Sequence, residues 1–312
     1  MDFGLLIFAT DYAIAPDTLA REAEAHGFES LFLPEHTHIP ASRKSPWPGG
    51  ADLPRQYWHA HDPFVALSMA AAVTKTIRLG TGISLVTERD PILMAKQVAS
   101  LDFLSNGRVE LGVGAGWNAE EMENHGTPFA QRWKILRERV LAMREIWTQE
   151  EAEYHGEFVD FDKLWAYPKP AQAGGPPVLL GASSRFVYQR IAEYGDGWFP
   201  IYQDALRADA SGGVDYAAGI AQTREAWEAA GRDGAPSFSI FGVGPDAAAV
   251  EYLMDLGFDR IIFALPSGSP DDVLPMVLCV PRHRDRELIF RGWFLFSGLP
   301  HNLLRKILEE ED

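Results

Sequence analysis

The feature that most constrains this chain is an alternation of short apolar segments with helical segments along almost its whole length. Eight segments are predicted as strands, and nearly all of them are followed by a helix. Repeated strand–helix units favour a parallel sheet, and eight of them predict a (β/α)8 TIM barrel. An open doubly wound sheet is the alternative, but such sheets usually have fewer strands. The predicted strands are 2–9, 29–33, 77–85, 108–114, 178–181, 197–202, 238–243 and 260–265.

Two of the predicted helices begin with the same dipeptide, Asp62-Pro63 and Asp90-Pro91. An aspartate at the N-cap accepts N–H groups of the first turn, and proline suits the first helical position. Both dipeptides therefore predict helix starts. The predicted helices are 16–26, 62–76, 90–104, 131–149, 183–194, 214–230 and 246–256.

Composition excludes several classes of protein. The 312 residues carry a net charge of −16, which disfavours nucleic acid and anionic membrane surfaces as partners. Cys279 is the only cysteine, so no intrachain disulfide is possible. We see neither an apolar run of about 20 residues nor the basic segment of an export signal, and we expect a cytoplasmic protein.

Residues 1–277 are predicted to form one barrel domain, and residues 278–312 an atypical C-terminal tail. Two long insertions interrupt the pattern, at 34–61 and 151–177. Long loops in compact domains are often functional. We expect both insertions to rise above the C-terminal face of the barrel, where barrel enzymes have their active sites.

Glu35 and His36 follow the second predicted strand, so they are candidates for acid–base chemistry at the barrel mouth. With His38 and the His59–His61 pair they also suggest a metal site. The ends of the fifth and eighth strands supply no metal ligand, however, so we predict no metal.

Three glycine-containing segments are further candidates. Gly80 and Gly82 inside the third strand indicate either a bulge near a ligand or simple barrel curvature. Residues 112–117 form a Gly-x-Gly-x-Gly turn that is a weak dinucleotide signal, but they suit close approach of a planar ring. Residues 181–184 offer small side chains and hydroxyls either to a phosphate or to a helix N-cap.

Several of these motifs together resemble the luciferase-like monooxygenase superfamily, most closely its deazaflavin (coenzyme F420)-dependent oxidoreductase branch. The resemblance covers about residues 2–275, and the block from 77 to 117 is its most specific part. The segments that carry it are 77–85, 90–91, 95–97, 101–102, 105–108, 112–117 and 195–198.

The resemblance implies a flavin or deazaflavin ring at the mouth of a TIM barrel. A bulge in the third strand, often with a non-prolyl cis peptide, supports the ring in that family. His36 matches the histidine that faces the reactive ring carbon. Some sugar-phosphate dehydrogenases of this branch have glutamate where this chain has Trp117, which argues against their substrate. The matching cofactor positions are Gly82 and Ile83 at the bulge, Ala115, Gly116 and Trp117 near the ring, and Gly181, Ala182, Ser183 and Ser184 at the phosphate.

The resulting hypothesis is hydride transfer between coenzyme F420 and a small organic substrate beneath the loop of residues 37–61. His36 would move the accompanying proton, since imidazole changes charge near neutral pH. Glu35 either orients His36 or is structural, and Tyr57 and Trp58 are predicted to line the substrate pocket. A monooxygenase that uses reduced FMN and oxygen is the main alternative; a non-catalytic flavin-binding protein and a metal hydrolase are others. The family resemblance also suggests a homodimer.

Overall fold

A computed structural model describes residues 1–50, 52–203, 214–244 and 246–278. Eight parallel strands close a barrel in the order β1-β10-β9-β8-β7-β4-β3-β2, which confirms the predicted TIM barrel. The strands are β1 (Asp2–Leu6), β2 (Ser30–Leu33), β3 (Arg78–Ser84), β4 (Val109–Val113), β5 (Ala152–His155), β6 (Asp160–Leu164), β7 (Val178–Leu180), β8 (Gly197–Trp198), β9 (Ser237–Val243) and β10 (Arg260–Ala264).

Helices cover the outside of the barrel and connect its strands. Short 3₁₀ helices at Arg55–Trp58, Val86–Glu88 and Phe129–Gln131 lie in the connections. The α-helices are α1 (Pro16–Ala25), α2 (Pro63–Val73), α3 (Pro91–Ser105), α4 (Ala119–Asn124), α5 (Arg132–Thr148), α6 (Val187–Tyr194), α7 (Tyr216–Ala229), α8 (Ala247–Leu256) and α9 (Pro270–Leu278).

The two Asp-Pro helix starts are confirmed. The Asp62 side chain accepts the N–H groups of Phe64 at 2.9 Å and Val65 at 3.0 Å. Asp90 accepts the N–H of Leu93 at 2.8 Å. Each such cap stabilises its helix by about 1 kcal/mol, so the sequence itself specifies where α2 and α3 begin.

The barrel interior is filled by large side chains that require glycine opposite them. Phe32 and Phe199 are fully buried, with their ring centroids 5.1 Å apart. A Cβ atom on Gly80 would come within 2.2 Å of the Phe32 ring. A Cβ atom on Gly112 would lie 2.0 Å from the backbone oxygen of Thr81. These glycines therefore make room for the packing of the barrel core.

Two predicted elements differ in extent. Helix α6 begins at Val187 rather than at 183, because Ser184 instead closes a turn by accepting the N–H of Val187 at 2.9 Å. Strand β8 ends at Trp198 rather than at 202, because Pro200 has no N–H to donate to a strand ladder. The segment before α6 is consequently a loop at the carboxyl end of β7.

The insertion at 151–177 lies at the N-terminal end of the barrel, so its expected position above the C-terminal face was wrong. Strands β5 and β6 pair as an antiparallel hairpin within it. The Gln172 amide donates to Asp102 at the end of α3 and to the Val109 carbonyl at the start of β4, both at 2.8 Å. A helix of a βα barrel returns the chain to the N-terminal ends of the strands, and this insertion follows α5.

Buried charges close the same end of the barrel. Arg260 donates to Glu110 at 2.5 and 2.9 Å and to Glu29 at 2.9 Å. Burial lowers the pKa of Arg260, but the two carboxylates outweigh it and raise that pKa above its ordinary value. This cluster is structural and lies far from the barrel mouth.

Helix α9 ends at Leu278, so the rest of the predicted tail at 278–312 lies outside the described residues. The predicted boundary at 277 therefore stays a prediction. Among the described residues, no helix combines the length and apolar character needed to cross a bilayer.

Candidate active site

An aromatic cluster lies at the C-terminal end of the barrel, where the insertion at 34–61 meets the strand ends. The His36 ring is 5.2 Å from Tyr57 and 5.7 Å from Trp117, measured between centroids. Phe8 and Trp47 pack on Tyr57 at 4.7 and 5.8 Å. The structure thus brings together three residues that the sequence singled out separately.

The two predicted wall residues, Tyr57 and Trp58, have different surroundings. Burial raises the pKa of Tyr57, and a hydrogen bond with Trp47 partly offsets this. Trp58 is 50% exposed, and its ring lies 6.0 Å from that of His59. Adjacent positions in the short 3₁₀ helix therefore point in different directions, and only Tyr57 contacts the His36 cluster.

His36 is held by a carboxylate from α4. Its Nδ1 atom lies 2.7 Å from Oε2 of Glu121, whose side chain is fully buried, while the His36 side chain is 6% exposed. The other oxygen of Glu121 accepts the backbone N–H of Thr37 at 3.0 Å. An ionised carboxylate only accepts hydrogen bonds, so an ionised Glu121 pairs with an Nδ1 that carries the proton. Nε2 of His36 makes no hydrogen bond with any described residue and is left for a ligand.

Glu35 has other partners. Its carboxylate accepts the Ser84 hydroxyl at 2.5 Å and the Leu85 N–H at 2.8 Å. Arg89 completes the set through its Nε at 2.6 Å. Of the two roles predicted for Glu35, this geometry matches the structural one, and Glu121 orients His36 instead.

A third buried glutamate, Glu88, stands beside these two. Its side chain is 1% exposed, and its Oε2 lies 3.9 Å from Nε2 of His125. Burial and the neighbouring carboxylates of Glu121 and Glu35 raise its pKa to about 9, although Thr37 lowers it slightly. These surroundings favour the protonated form of Glu88.

The expected bulge in the third strand is present. The pairing of β3 with β4 shifts register between Thr81 and Ser84, and the Gly82–Ile83 peptide is cis. A Cβ atom on Gly114 would come within 2.7 Å of the Ile83 side chain, and one on Gly181 within 2.6 Å. The two glycines therefore form a cradle in which the partly exposed Ile83 side chain lies.

The other predicted cofactor residues line two neighbouring turns. Gly116 has a φ of +75°, which favours glycine, and it follows the buried Ala115 and precedes Trp117. Ala182 accepts the Trp198 indole N–H at 2.8 Å. Within the described part of the chain, neither the Ser183 nor the Ser184 hydroxyl makes a hydrogen bond, and Ser184 is exposed. That these residues bind a cofactor stays a prediction.

Two of the histidines considered as metal ligands, His38 and His59, have other partners. His59 bonds Asp11 at 2.8 Å, and His38 bonds the Thr37 hydroxyl at 2.9 Å. Among the described residues, no group of three or more His, Cys, Asp or Glu side chains is arranged to hold a metal ion.

Sequence reasoning missed Glu121, Glu88 and Arg89. Glu121 is 85 residues from His36, and α4 is too short to show a helical period. One local signal was available: Glu121 lies four residues beyond Trp117, just after the glycine-rich block that resembles the family. No comparable signal marks Glu88, because its raised pKa results from burial and from carboxylates that are distant in sequence.

Comparison with known proteins decides the family. The model of the family described as luciferase-like monooxygenase matches residues 16–254. This chain belongs to the luciferase-like monooxygenase family. Its closed eight-stranded barrel agrees with that membership.

Similar proteins include relatives with different named activities. Uncharacterized protein Rv0953c of Mycobacterium tuberculosis is 42% identical over 280 residues, 89% of this chain and 96% of that protein. The F420-dependent hydroxymycolic acid dehydrogenase of the same organism is 30% identical over 229 residues, 72% of this chain and 56% of that protein. The monooxygenase RslO1 from Streptomyces bottropensis shares the fold, with a TM-score of 0.68, 18% identity, and coverage of 98% of this chain and 100% of its own.

Proposed function

We propose that this luciferase-like protein is an oxidoreductase that transfers a hydride between coenzyme F420 and a small organic substrate. The observation that carries the proposal is the His36–Glu121 pair at 2.7 Å, which leaves Nε2 of His36 available at the barrel mouth. The similarity to an F420-dependent dehydrogenase over 72% of the chain supports the choice of cofactor.

The residues at the mouth fit a planar tricyclic ring with a phosphate-bearing tail. Ile83 offers an apolar surface, held in place where Gly114 and Gly181 leave no space for a Cβ atom. Ser183 and Ser184 offer hydroxyls at the loop before α6 that no described residue engages. Apolar walls with a few polar groups are typical of cofactor sites.

Bound F420 supplies a ring carbon that accepts or donates a hydride. The protein supplies the proton that must leave or enter with it. In the substrate-oxidising direction, Nε2 of His36 takes the substrate's proton, and Glu121 stabilises the imidazolium that results. Tyr57 and Trp117 pack against the imidazole and exclude water from it.

A flavin-dependent monooxygenase reaction is the second candidate. The fold that this chain shares with the monooxygenase RslO1 over 98% of its length favours it. In that case the site would bind reduced FMN and admit oxygen, and its main task would be to exclude water.

Titrations of the purified protein with F420 and, separately, with FMN distinguish the two candidates. Quenching of Trp117 fluorescence reports binding, since its ring lies 5.7 Å from that of His36. The Trp117→Phe variant should lose most of the signal change, whereas Trp165→Phe, at a 75% exposed position, should keep it. Tight F420 with weak FMN binding supports the proposal. The reverse favours the oxygen reaction, and binding of neither refutes both.

Turnover of His36→Ala tests the proton role. General acid–base groups contribute about 10²- to 10⁴-fold to rates, so we expect kcat to fall at least ~100-fold while F420 still binds. The exposed His61 provides a matched control, and His61→Ala should keep the wild-type kcat. An unchanged kcat in His36→Ala would remove His36 from the mechanism.

We also propose a homodimer that buries an apolar surface on α2 and α3. The exposed fractions there are 65% for Val65, 57% for Leu93, 55% for Phe103 and 81% for Leu104. Exposed apolar side chains concentrated on two neighbouring helices are typical of interaction sites. Leu93→Asp combined with Leu104→Asp should give a monomer in light scattering, whereas Trp165→Asp should not. A monomeric wild type would refute this proposal.

A further inference from the structure

The buried glutamate Glu88 has no role in the chemistry described so far. Its side chain is 1% exposed, and in the described part of the chain neither of its oxygens receives a regular hydrogen bond. A buried unpaired carboxylate is costly, so the group is more stable when it carries a proton. The groups that face it are Glu35 and Thr37 from the insertion, Glu121 on α4, His125 after α4 and Arg139 on α5.

Glu88 stands between the His36 pair and the surface. On one side is Glu121, which accepts Nδ1–H of His36 at 2.7 Å. On the other side are the Thr37 hydroxyl and His125. The Thr37 oxygen lies 2.7 Å from Nε2 of His125, and the His125 side chain is 31% exposed. Glu121, Glu88 and Thr37 are therefore the neighbouring groups between His36 and the partly exposed His125.

We propose that Glu88 stores a proton in the resting protein, and that Glu121, Glu88, Thr37 and His125 conduct a proton between His36 and solvent. The inference rests on the proton role proposed for His36. These four residues form the proton relay; they act through His36 and do not themselves touch the substrate.

The protons balance over one turnover. A proton that arrives at Nε2 of His36 releases the Nδ1 proton to Glu121. Glu88 gives its own proton to Thr37, which passes its hydroxyl proton to His125, and Glu88 then takes the proton of Glu121. One proton enters at His36 and one leaves at His125, no electron moves, and tautomer exchange of the imidazole restores the resting state.

The pKa shifts of Glu88 and His125 give the charge states of the resting relay. Burial and the carboxylates of Glu121 and Glu35 raise the pKa of Glu88 to about 9, so it holds a proton at neutral pH. Burial and the nearby His38 lower the pKa of His125, so this imidazole is neutral at pH 7 and can accept a proton. The resting relay therefore has a protonated carboxyl beside a neutral imidazole. When Glu121 takes the proton of His36, its negative charge no longer raises the pKa of Glu88, and Glu88 becomes a better proton donor.

Infrared spectroscopy of the ligand-free protein tests the stored proton. At pH 7 we expect a protonated-carboxyl band that disappears in Glu88→Gln and persists in Glu123→Gln, an exposed position on the same helix as Glu121. The Glu121→Gln variant removes a neighbouring negative charge, so the band should titrate at a pH lower by about one unit, a tenfold change in proton affinity. A band that survives in Glu88→Gln overturns the proposal.

Hydrogen–deuterium exchange of the same band tests the route to solvent. After mixing with D2O, we expect Thr37→Val to slow the exchange of the Glu88 proton at least ~10-fold and Thr37→Ser to restore the wild-type rate. These variants keep Glu88 itself, so they remain informative if Glu88→Gln fails to fold. Equal exchange rates in Thr37→Val and wild type would overturn the route.

Both measurements need no cofactor, so they separate this inference from the proposed function. If F420 fails to bind while the band behaves as expected, the proposed function is wrong and the stored proton remains. If F420 binds while the band is absent at pH 7, the relay is wrong and the hydride reaction remains.

Discussion

Replacing Arg89 by methionine should destabilise the protein far more than the loss of an ordinary surface charge. The Glu35 side chain is 1% exposed and that of Arg89 is 12% exposed, so the ion pair between them is buried. Arg89 also bonds the helix-capping Asp62 at 2.5 Å. Methionine keeps much of the apolar stem of arginine and removes only the charged head.

The expected magnitude follows from what remains around Glu35. Removing one partner of a buried pair costs about 3–5 kcal/mol, because the other charge is left uncompensated. Ser84 and Leu85 still donate two hydrogen bonds to Glu35, so we expect the lower end, about 3 kcal/mol. With an unfolding entropy of ~2.1 cal/mol/K per residue, a chain of 312 residues should then unfold about 5 °C lower.

Urea unfolding at pH 7 and a calorimetric scan measure these quantities. Arg137→Met is the matched control, because its pair with Glu193 has side chains 43% and 47% exposed. Such a surface pair contributes under about 1 kcal/mol. The double variant Glu35→Gln with Arg89→Met should recover at least half of the loss, since it removes the buried charge. Equal losses in Arg89→Met and Arg137→Met would refute the reasoning.

Three further predictions concern packing, pH and the far end of the barrel. Gly112→Ala should cost about 3 kcal/mol in urea unfolding, because its Cβ atom would meet backbone at 2.0 Å, whereas Gly244→Ala, with open space around it, should change little. Burial raises the pKa of Glu24, but N–H groups of residues 75–77 outweigh it and lower that pKa to about 2 from 4.5. The wild type should therefore have a larger free energy of unfolding than Glu24→Gln at pH 6, and this difference should vanish as the pH falls to 2. Arg260→Met should lose about 3–5 kcal/mol of stability yet leave F420 titration unchanged, since the residue lies at the opposite end of the barrel; weakened binding at equal folded fraction would contradict this.

Local chemistry made part of this structure predictable from sequence. Asp62 and Asp90 fix two helix starts through hydrogen bonds to residues two or three positions away. The bulge at Gly82 and Ile83 was found because glycine inside a strand is unusual and the surrounding motif resembles the family. Features of this kind can be predicted because they depend on residues that are close together in the sequence.

Long-range contacts limit how much of the candidate site can be predicted from the sequence. The partner of His36 comes from a short helix 85 residues away, and nothing near His36 identifies it. Proximity in sequence made Glu35 one candidate for this role, but its carboxylate accepts hydrogen bonds from the Leu85 backbone and from Arg89. The position of the 151–177 insertion was a different error, since the rule that a helix returns to the N-terminal face was sufficient to place it.

Three buried glutamates lie around one histidine at the barrel mouth, and burying three carboxylates so close together is energetically costly. Each is neutralised in a different way: Glu35 by the guanidinium of Arg89, Glu88 by a proton, and Glu121 by its hydrogen bonds from His36 and from the Thr37 backbone. Glu121 differs from the other two because its side-chain partner is an imidazole. An imidazolium at His36 would give Glu121 a positive partner, as the proposed proton role of His36 requires. The charge distribution of the site, more than any single residue, therefore supports acid–base work at Nε2.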